Sequence, residues 1–396
     1  MRKTKLLLPQ EEKILISEKR NNFIIGIPKE TSFQENRICL SPESVGVLIN
    51  SNINVLIEKG AGLGSNFEDS EYIANGANIC SLQEVYKNSD LILKVEPPTI
   101  QEIKIMKKNQ VLISALQIKA INRNYLKALI EKKITAIAFE YLKDEAGEIS
   151  IVRAMSEIAG NTSILIASEY LSNVNKGKGL MLGGVPGVAS TEVVILGAGT
   201  VGEFASRAAI GLGASVKVFD NHLYKLRRLK NNLKSNIYTS TLQPKILAKS
   251  LKRADVVIGA LRGEFGRTPC VIFEDMITAM KERSVIIDVS IDQGGCFETS
   301  KLTNHSNPVF IKHDVIHYCV PNITSRVART ASNALSNILL PVIINILNSN
   351  SIAHCFEQYA GLRQGIYIYK GILSNKNVGD WYNMDYTDID LLIDSF

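Results

Sequence analysis

Apolar residues in this chain fall into short continuous runs, separated by longer stretches in which they recur every three or four positions. Short runs bounded by turn residues read as strands buried on both faces, and the longer pattern reads as helix. From Phe23 to Tyr141 the strand-like runs are FIIGIP (23–28), INVLIEKG (53–60), LILKVEP (91–97), VLISAL (111–116) and ITAIAFE (134–140). Helical patterns such as SPESVGVLINS (41–51) and NYLKALIEKK (124–133) lie between them. Ser41-Pro42-Glu43 is a helix start, with serine as cap and proline in the first turn. A long helical stretch (153–173) and the small-residue loop GKGLMLGGVPGVAST (177–191) lead into a second alternating series. Its strands are EVVILG (192–197), SVKVFD (215–220), ADVVIGAL (254–261) and SVIIDVS (284–290). An apolar helical segment follows at 328–348, and GIYIYKGILSNKNV predicts a hairpin turning at Gly371. Such alternation predicts an α/β protein built on doubly wound sheets.

Composition narrows the class without changing it. With 396 residues, the chain is too long for one small core and suits two domains. Hydrophobic residues make up 45% and charged residues 21%, as in ordinary globular proteins. The nearest approach to a membrane span, ILLPVIINIL (338–347), is short and interrupted by Pro341 and Asn345. The N-terminal MRKTKLLLPQEEK is basic but lacks the apolar region of a secretory signal. A cytoplasmic location without a membrane partner is therefore expected. The 45 basic residues exceed the 39 acidic ones by only 6. KLRRLK (225–230) and KSLKR (249–253) read as solvated helix faces, so no nucleic-acid partner is expected. The six cysteines are scattered, without a CxxC pair. His313 and His317 lie in the strand-like FIKHDVIHYCV, sharing a face but too far apart for one ion, so no metal site is expected.

The sharpest signal is EVVILGAGTVGEFASRAAIGLGASVKVFD. A strand runs into Gly197-Ala198-Gly199-Thr200-Val201-Gly202, a helix follows, and a second strand ends at Asp220, 18 positions beyond Gly202. This context makes GxGxxG a dinucleotide fingerprint. Gly197 permits the tight turn, Gly199 lets the backbone approach a pyrophosphate, and Gly202 lets helix pack on strand. The helix start offers unpaired N–H groups to the phosphates. Asp220 can accept from both ribose hydroxyls, which favours NAD over NADP, while Lys225, Arg227 and Arg228 nearby soften that preference.

Further stretches join the fingerprint: GIPKETSFQENRICLSP (26–42), LILKVEPP (91–98), MSEIAG (155–160), IIDVSIDQGGCFETS (286–300) and HYCVPNI (317–323). Together they make the chain resemble the alanine dehydrogenase family, which includes the NAD-binding subunit of transhydrogenase. The resemblance covers residues 23–348. It implies two Rossmann-like doubly wound domains, with an NAD domain at 151–328 inserted into a discontinuous substrate domain at 1–150 and 329–396. The DQGG wording and the short RAMSEIAG loop place the chain on the dehydrogenase branch.

The resemblance also implies roles. Arg37 would hold the substrate carboxylate, and Lys94 its carboxylate and carbonyl oxygen. Asp292 would handle the attacking water. Ser156, Ala260, Leu261, Ile291, Asp292, Asn322 and Lys225 would line the cofactor with the glycine loop. The implied reaction converts L-alanine to pyruvate and ammonium with NAD, in a homo-oligomer that family analogy makes a hexamer. Gln117 departs from the pattern, since the family has histidine there. An amide can orient and polarise a substrate, but it does not exchange protons near neutral pH. Gln117 reads either as a wall of the substrate site or as a strand end. Two other functions stay open: a dehydrogenase of another small amino or oxo acid, and an NAD-binding subunit without turnover.

Overall fold

The structure is a computed structural model that describes residues 23–263, 267–349 and 352–395. The basic N-terminal segment 1–20 lies outside them. In chain order the strands are β1 (Ile24–Ile27), β2 (Asn54–Glu58), β3 (Asn78–Cys80), β4 (Leu91–Leu93), β5 (Val111–Ser114), β6 (Thr135–Ala138), β7 (Glu192–Leu196), β8 (Ser215–Phe219), β9 (Tyr238–Ser240), β10 (Val256–Gly259), β11 (Val285–Asp288), β12 (Val309–Lys312), β13 (Val315–Tyr318), β14 (Ile366–Tyr369) and β15 (Ile372–Leu373).

The chain divides into two compact units. The first takes the described residues of 23–30, 38–147 and 335–395, and the second takes those of 31–37 and 148–334. The segment 31–37, which carries Arg37, thus belongs with the second unit rather than with the N-terminal stretch around it. The sheet of the first unit runs β15-β14-β6-β5-β4-β1-β2-β3, and that of the second β12-β13-β11-β10-β7-β8-β9. Counting only its parallel strands, each sheet has the doubly wound order 3-2-1-4-5-6. Antiparallel strands close one edge of each: β12 on β13, and β14 on β6. The hairpin expected in the tail forms β14 and β15.

Burial on both faces explains the continuous apolar runs. In the second sheet Val193 and Ile195 enter one core with Val216, Val218, Val256 and Ile258. Their neighbours Val194 and Leu196 enter another with Phe219 and Val257. Gly160, in the Ser150–Leu171 helix, permits close packing on the Thr200–Gly211 helix. A Cβ there would lie 2.5 Å from the Val201 carbonyl oxygen.

Several expectations are corrected. LILKVEP is regular strand only to Leu93, so Lys94 follows at its carboxyl end, its N–H still donating to the Ile113 carbonyl oxygen at 3.0 Å. FIKHDVIHYCV is a hairpin, not one strand, and turns at His313 and Asp314 with φ of 52° and 59°. His313 is exposed at the turn, while His317 is buried between the Thr299 hydroxyl and the Val315 carbonyl oxygen. Pro341 does not interrupt its helix, which runs unbroken from Ala328 to Asn348. With the turn before it, Ile323–Asn348 is long and apolar enough to cross a membrane, at a mean hydropathy of 1.5. Leu335, Leu339, Ile343, Ile346 and Leu347 are at most 1% exposed, so one stripe of this helix packs into the protein.

Candidate active site

In an open α/β sheet, ligands settle outside the carboxyl ends of the strands where the strand order reverses. In the second unit that point lies between β7 and β10, and the glycine loop begins where β7 ends. Gly197 has φ 109°, and a Cβ there would lie 2.4 Å from the Ala260 carbonyl oxygen. A Cβ at Gly202 would lie 1.9 Å from the Gly197 carbonyl oxygen. Both glycines are therefore required by the protein's own backbone. Gly199 differs, because a Cβ there would meet nothing within 4 Å. Its smallness leaves open space at the first turn of the Thr200–Gly211 helix, and no side chain caps that helix. Unpaired N–H groups facing an open cradle fit a pyrophosphate.

Asp220 ends the second strand of this unit, nearly fully buried. Its Oδ2 accepts from the Ala198 N–H at 2.8 Å, and its Oδ1 accepts from the His222 N–H at 2.8 Å. Burial would raise its pKa, but these hydrogen bonds and the charge of Lys225 hold it below the usual carboxylate range. A charged acid beside the glycine loop suits ribose hydroxyls and opposes an extra phosphate. Arg228 donates to the Ala198 carbonyl oxygen at 3.4 Å, so the basic helix does reach this loop.

A hydrogen-bonded series in the same unit joins three residues singled out in the sequence. Glu35 grips Arg37 side-on: Nε donates to Oε1 at 2.8 Å and Nη2 to Oε2 at 2.5 Å. Nη1 faces the Thr324 hydroxyl at 3.2 Å and the Met155 sulfur at 3.6 Å. The guanidinium is thereby fixed in plane, with one of its two-bond faces taken by Glu35. Asn322 connects this pair to Asp292. Its Nδ2 donates to Glu35 Oε2 at 2.7 Å, and its backbone N–H donates to Asp292 Oδ1 at 3.1 Å. Asn322 adopts φ 53°, a left-handed conformation that asparagine tolerates better than most residues. Asp292 lies on an exposed turn, yet burial of its carboxyl raises the pKa above the usual range, against the Asn322 N–H and the charge of Arg37.

The loop bearing Ile291 and Asp292 is anchored by Asp288, which the sequence reading passed over. This carboxylate is 1% exposed and accepts from the Ser290 N–H at 3.1 Å, the Cys296 N–H at 3.1 Å and the Ser300 hydroxyl at 2.6 Å. Burial pushes its pKa up to about 6. Ile291 is buried, and Leu261 accepts the Ser290 hydroxyl at 2.8 Å. Ser156 spends its hydroxyl on the Val152 carbonyl oxygen, one helical turn back, at 2.7 Å.

In the first unit the switch point lies between β1 and β4, and Lys94 and Gln117 lie at the carboxyl ends of neighbouring strands there. Lys94 is 1% exposed, and its ammonium sits 3.3 Å from both Glu30 and Glu102. Burial alone would lower its pKa, but the two carboxylates win and hold it above the usual lysine value. Lys94 thus carries two internal counter-ions at the carboxyl end of β4, and the Lys29 carbonyl oxygen lies 3.4 Å from its ammonium. Gln117, three residues beyond β5, is exposed with φ 46°. Its Nε2 donates to Glu96 Oε2 at 2.5 Å, and its N–H donates to Glu140 Oε1 at 3.1 Å. One donor of the amide is therefore held within the protein.

Residues 26–159 match the family Alanine dehydrogenase/PNT, N-terminal domain, and residues 163–376 match Alanine dehydrogenase/PNT, C-terminal domain. The chain is 38% identical over 367 residues to an alanine dehydrogenase of Staphylococcus epidermidis, covering 92% of this chain and 98% of that one. It is similar to a solved L-alanine dehydrogenase at 33% identity and a TM-score of 0.85, covering 91% of this chain and 99% of the other. A transhydrogenase from Sinorhizobium meliloti shares the fold at 22% identity and a TM-score of 0.77, over 89% of this chain and 99% of the other.

Proposed function

Because the chain belongs to the alanine dehydrogenase/PNT family, we infer that it is an NAD-dependent oxidoreductase converting L-alanine to pyruvate and ammonium, and the reverse. The second unit serves as the NAD domain and the first as the substrate domain. NAD supplies the hydride chemistry when bound, and Gly197, Gly199, Thr200, Val201, Gly202, Asp220 and Lys225 would hold it. Ala260 and Leu261 would line the same crevice.

The observation that carries the chemistry is the series Asp292–Asn322–Glu35–Arg37. Glu35 fixes Arg37 so that its positive charge is placed before a substrate carboxylate arrives. Asp292 takes a proton from the water that converts the imine to the oxo acid. Its carboxylate is ionised to accept that proton, and the Asn322 N–H orients it. Two broader expectations join this reading by family analogy: self-association into a homo-oligomer, and a cytoplasmic location with small molecules as partners.

The test is NADH oxidation by the purified chain with pyruvate and ammonium. Turnover that requires both substrates is expected. NADH binding without turnover across a panel of small oxo acids plus ammonium would overturn the enzyme and leave an NAD-binding subunit. A second reading, a dehydrogenase of another small amino acid, is favoured by the inward-facing Lys94 and by the Glu96–Gln117 pair. Turnover with another amino acid in place of L-alanine would select it.

A further inference from the structure

We propose that Gln34 and Ser325 are positioning residues, which buckle the segment 31–37 onto the second unit and so set where the Arg37 charge stands for a substrate carboxylate. This rests on the reading of the chain as an amino-acid dehydrogenase. Arg37 comes from the N-terminal stretch, yet its segment groups with the second unit. Residues 31–37 form neither strand nor helix there. Without a ladder of their own, their backbone groups take partners from side chains and turns.

Two side chains make the attachment. Gln34 Oε1 accepts the His305 N–H at 2.6 Å, and Gln34 Nε2 donates to Ser306 Oγ at 3.0 Å. The turn it grips is already closed by Asn304, whose Oδ1 accepts the Ser306 N–H at 3.0 Å and the Asn307 N–H at 2.9 Å. Ser325 is 2% exposed and uses its hydroxyl twice. It donates to the Gln34 carbonyl oxygen at 2.7 Å and accepts the Asn36 N–H at 2.8 Å. The hydroxyl thus spans Glu35, the residue whose carboxylate grips Arg37. Gln34 adopts φ 58°, a left-handed conformation that persists in such a residue only where its surroundings over-determine it. Ser325 also belongs to the turn that Asn322 begins, and Asn322 bonds both Glu35 and Asp292. One turn therefore holds the backbone beside Glu35, the Glu35 carboxylate and the Asp292 carboxylate in a common register.

Hydrogen exchange of the segment 31–37, read by mass spectrometry beside steady-state kinetics, tests this in Gln34→Ala, Gln34→Glu and Ser325→Ala. Gln34→Ala removes both clamp bonds at a half-buried position. It should speed exchange of the segment about tenfold or more and raise KM for L-alanine about tenfold, with NADH affinity unchanged within about twofold. Gln34→Glu keeps an acceptor for the His305 N–H and for the Ser306 hydroxyl, so its KM should return to within about threefold of wild type. Ser325→Ala strips the partner from the Asn36 N–H and should move exchange and KM in the same direction as Gln34→Ala. A residue that only stabilised the fold would weaken NADH binding along with KM, and that outcome overturns the proposal. So does wild-type exchange or an unchanged KM in Gln34→Ala. The two readings fail separately. Faster exchange in Gln34→Ala, with no alanine oxidation in wild type, sinks the activity and keeps the buckle. Alanine oxidation with an unchanged KM in Gln34→Ala does the reverse.

Discussion

At the scale of single residues, Lys94 shows how differently one side chain reads in sequence and in space. An apolar run ending in lysine invites a functional role, because an unpaired buried ammonium is costly. The structure resolves that cost with two carboxylates, Glu30 from the turn after β1 and Glu102 from a helix eight positions on. Glu102 also caps its own helix through the Thr99 N–H at 2.6 Å and receives the Tyr86 hydroxyl at 3.2 Å. Removing the cation leaves this cluster uncompensated. Lys94→Met should therefore destabilise the chain by about 3–5 kcal/mol, as breaking buried ion pairs does. Urea unfolding measures it. A Lys94→Met variant that unfolds like wild type would overturn the counter-ion role. Gln117 moves the other way: the strand-end residue acquires a defined side-chain partner in Glu96.

At the scale of elements, the glycine loop was legible because its requirements are local. A strand, a turn, a helix start and a strand-end acid follow one another within the stretch from Glu192 to Asp220. The structure separates what the glycines do. Gly197→Ala forces a side chain against the Ala260 carbonyl oxygen at a φ of 109°, so it should cost about 2 kcal/mol or more of stability. Gly199→Ala meets no protein atom, and its φ of −78° is ordinary, so stability should change by less than about 1 kcal/mol. Yet it should weaken NADH binding about tenfold or more by filling the cradle. Thermal unfolding beside NADH fluorescence titration separates the two, and a Gly199→Ala variant with wild-type NADH affinity would remove the cradle from the cofactor site. Less legible were Asn78–Cys80 and Tyr238–Ser240. Each is three residues long at a sheet edge and begins with an exposed residue, so neither shows an apolar run. The carboxylates Glu30, Glu35, Glu96 and Asp288 were also passed over. Their importance comes from partners brought close by the fold, which no local pattern in the sequence marks.

At the scale of the whole molecule, buried titratable groups tie stability to pH, and two of them in the second unit oppose each other. Asp288 has its pKa raised by burial from 3.8 to about 6. Its contribution is fully present below the unfolded value of 3.8 and is lost as pH rises through about 6, a loss of about 3 kcal/mol at neutral pH. His317 is buried with Nδ1 donating to the Val315 carbonyl oxygen, which leaves Nε2 to accept from the Thr299 hydroxyl. Burial lowers its pKa from 6.5 to about 4, so its contribution is present above 6.5 and fades as pH falls toward 4. Between about pH 4 and 6 one group gains what the other loses, and wild-type stability should vary less than either group alone requires. Removing one member exposes the other. As pH falls from 7 to 5, wild type should gain stability relative to Asp288→Asn and lose it relative to His317→Gln. Urea unfolding across that range reads both differences. Stability curves that stay parallel for wild type and either variant would show that the missing side chain does not titrate there.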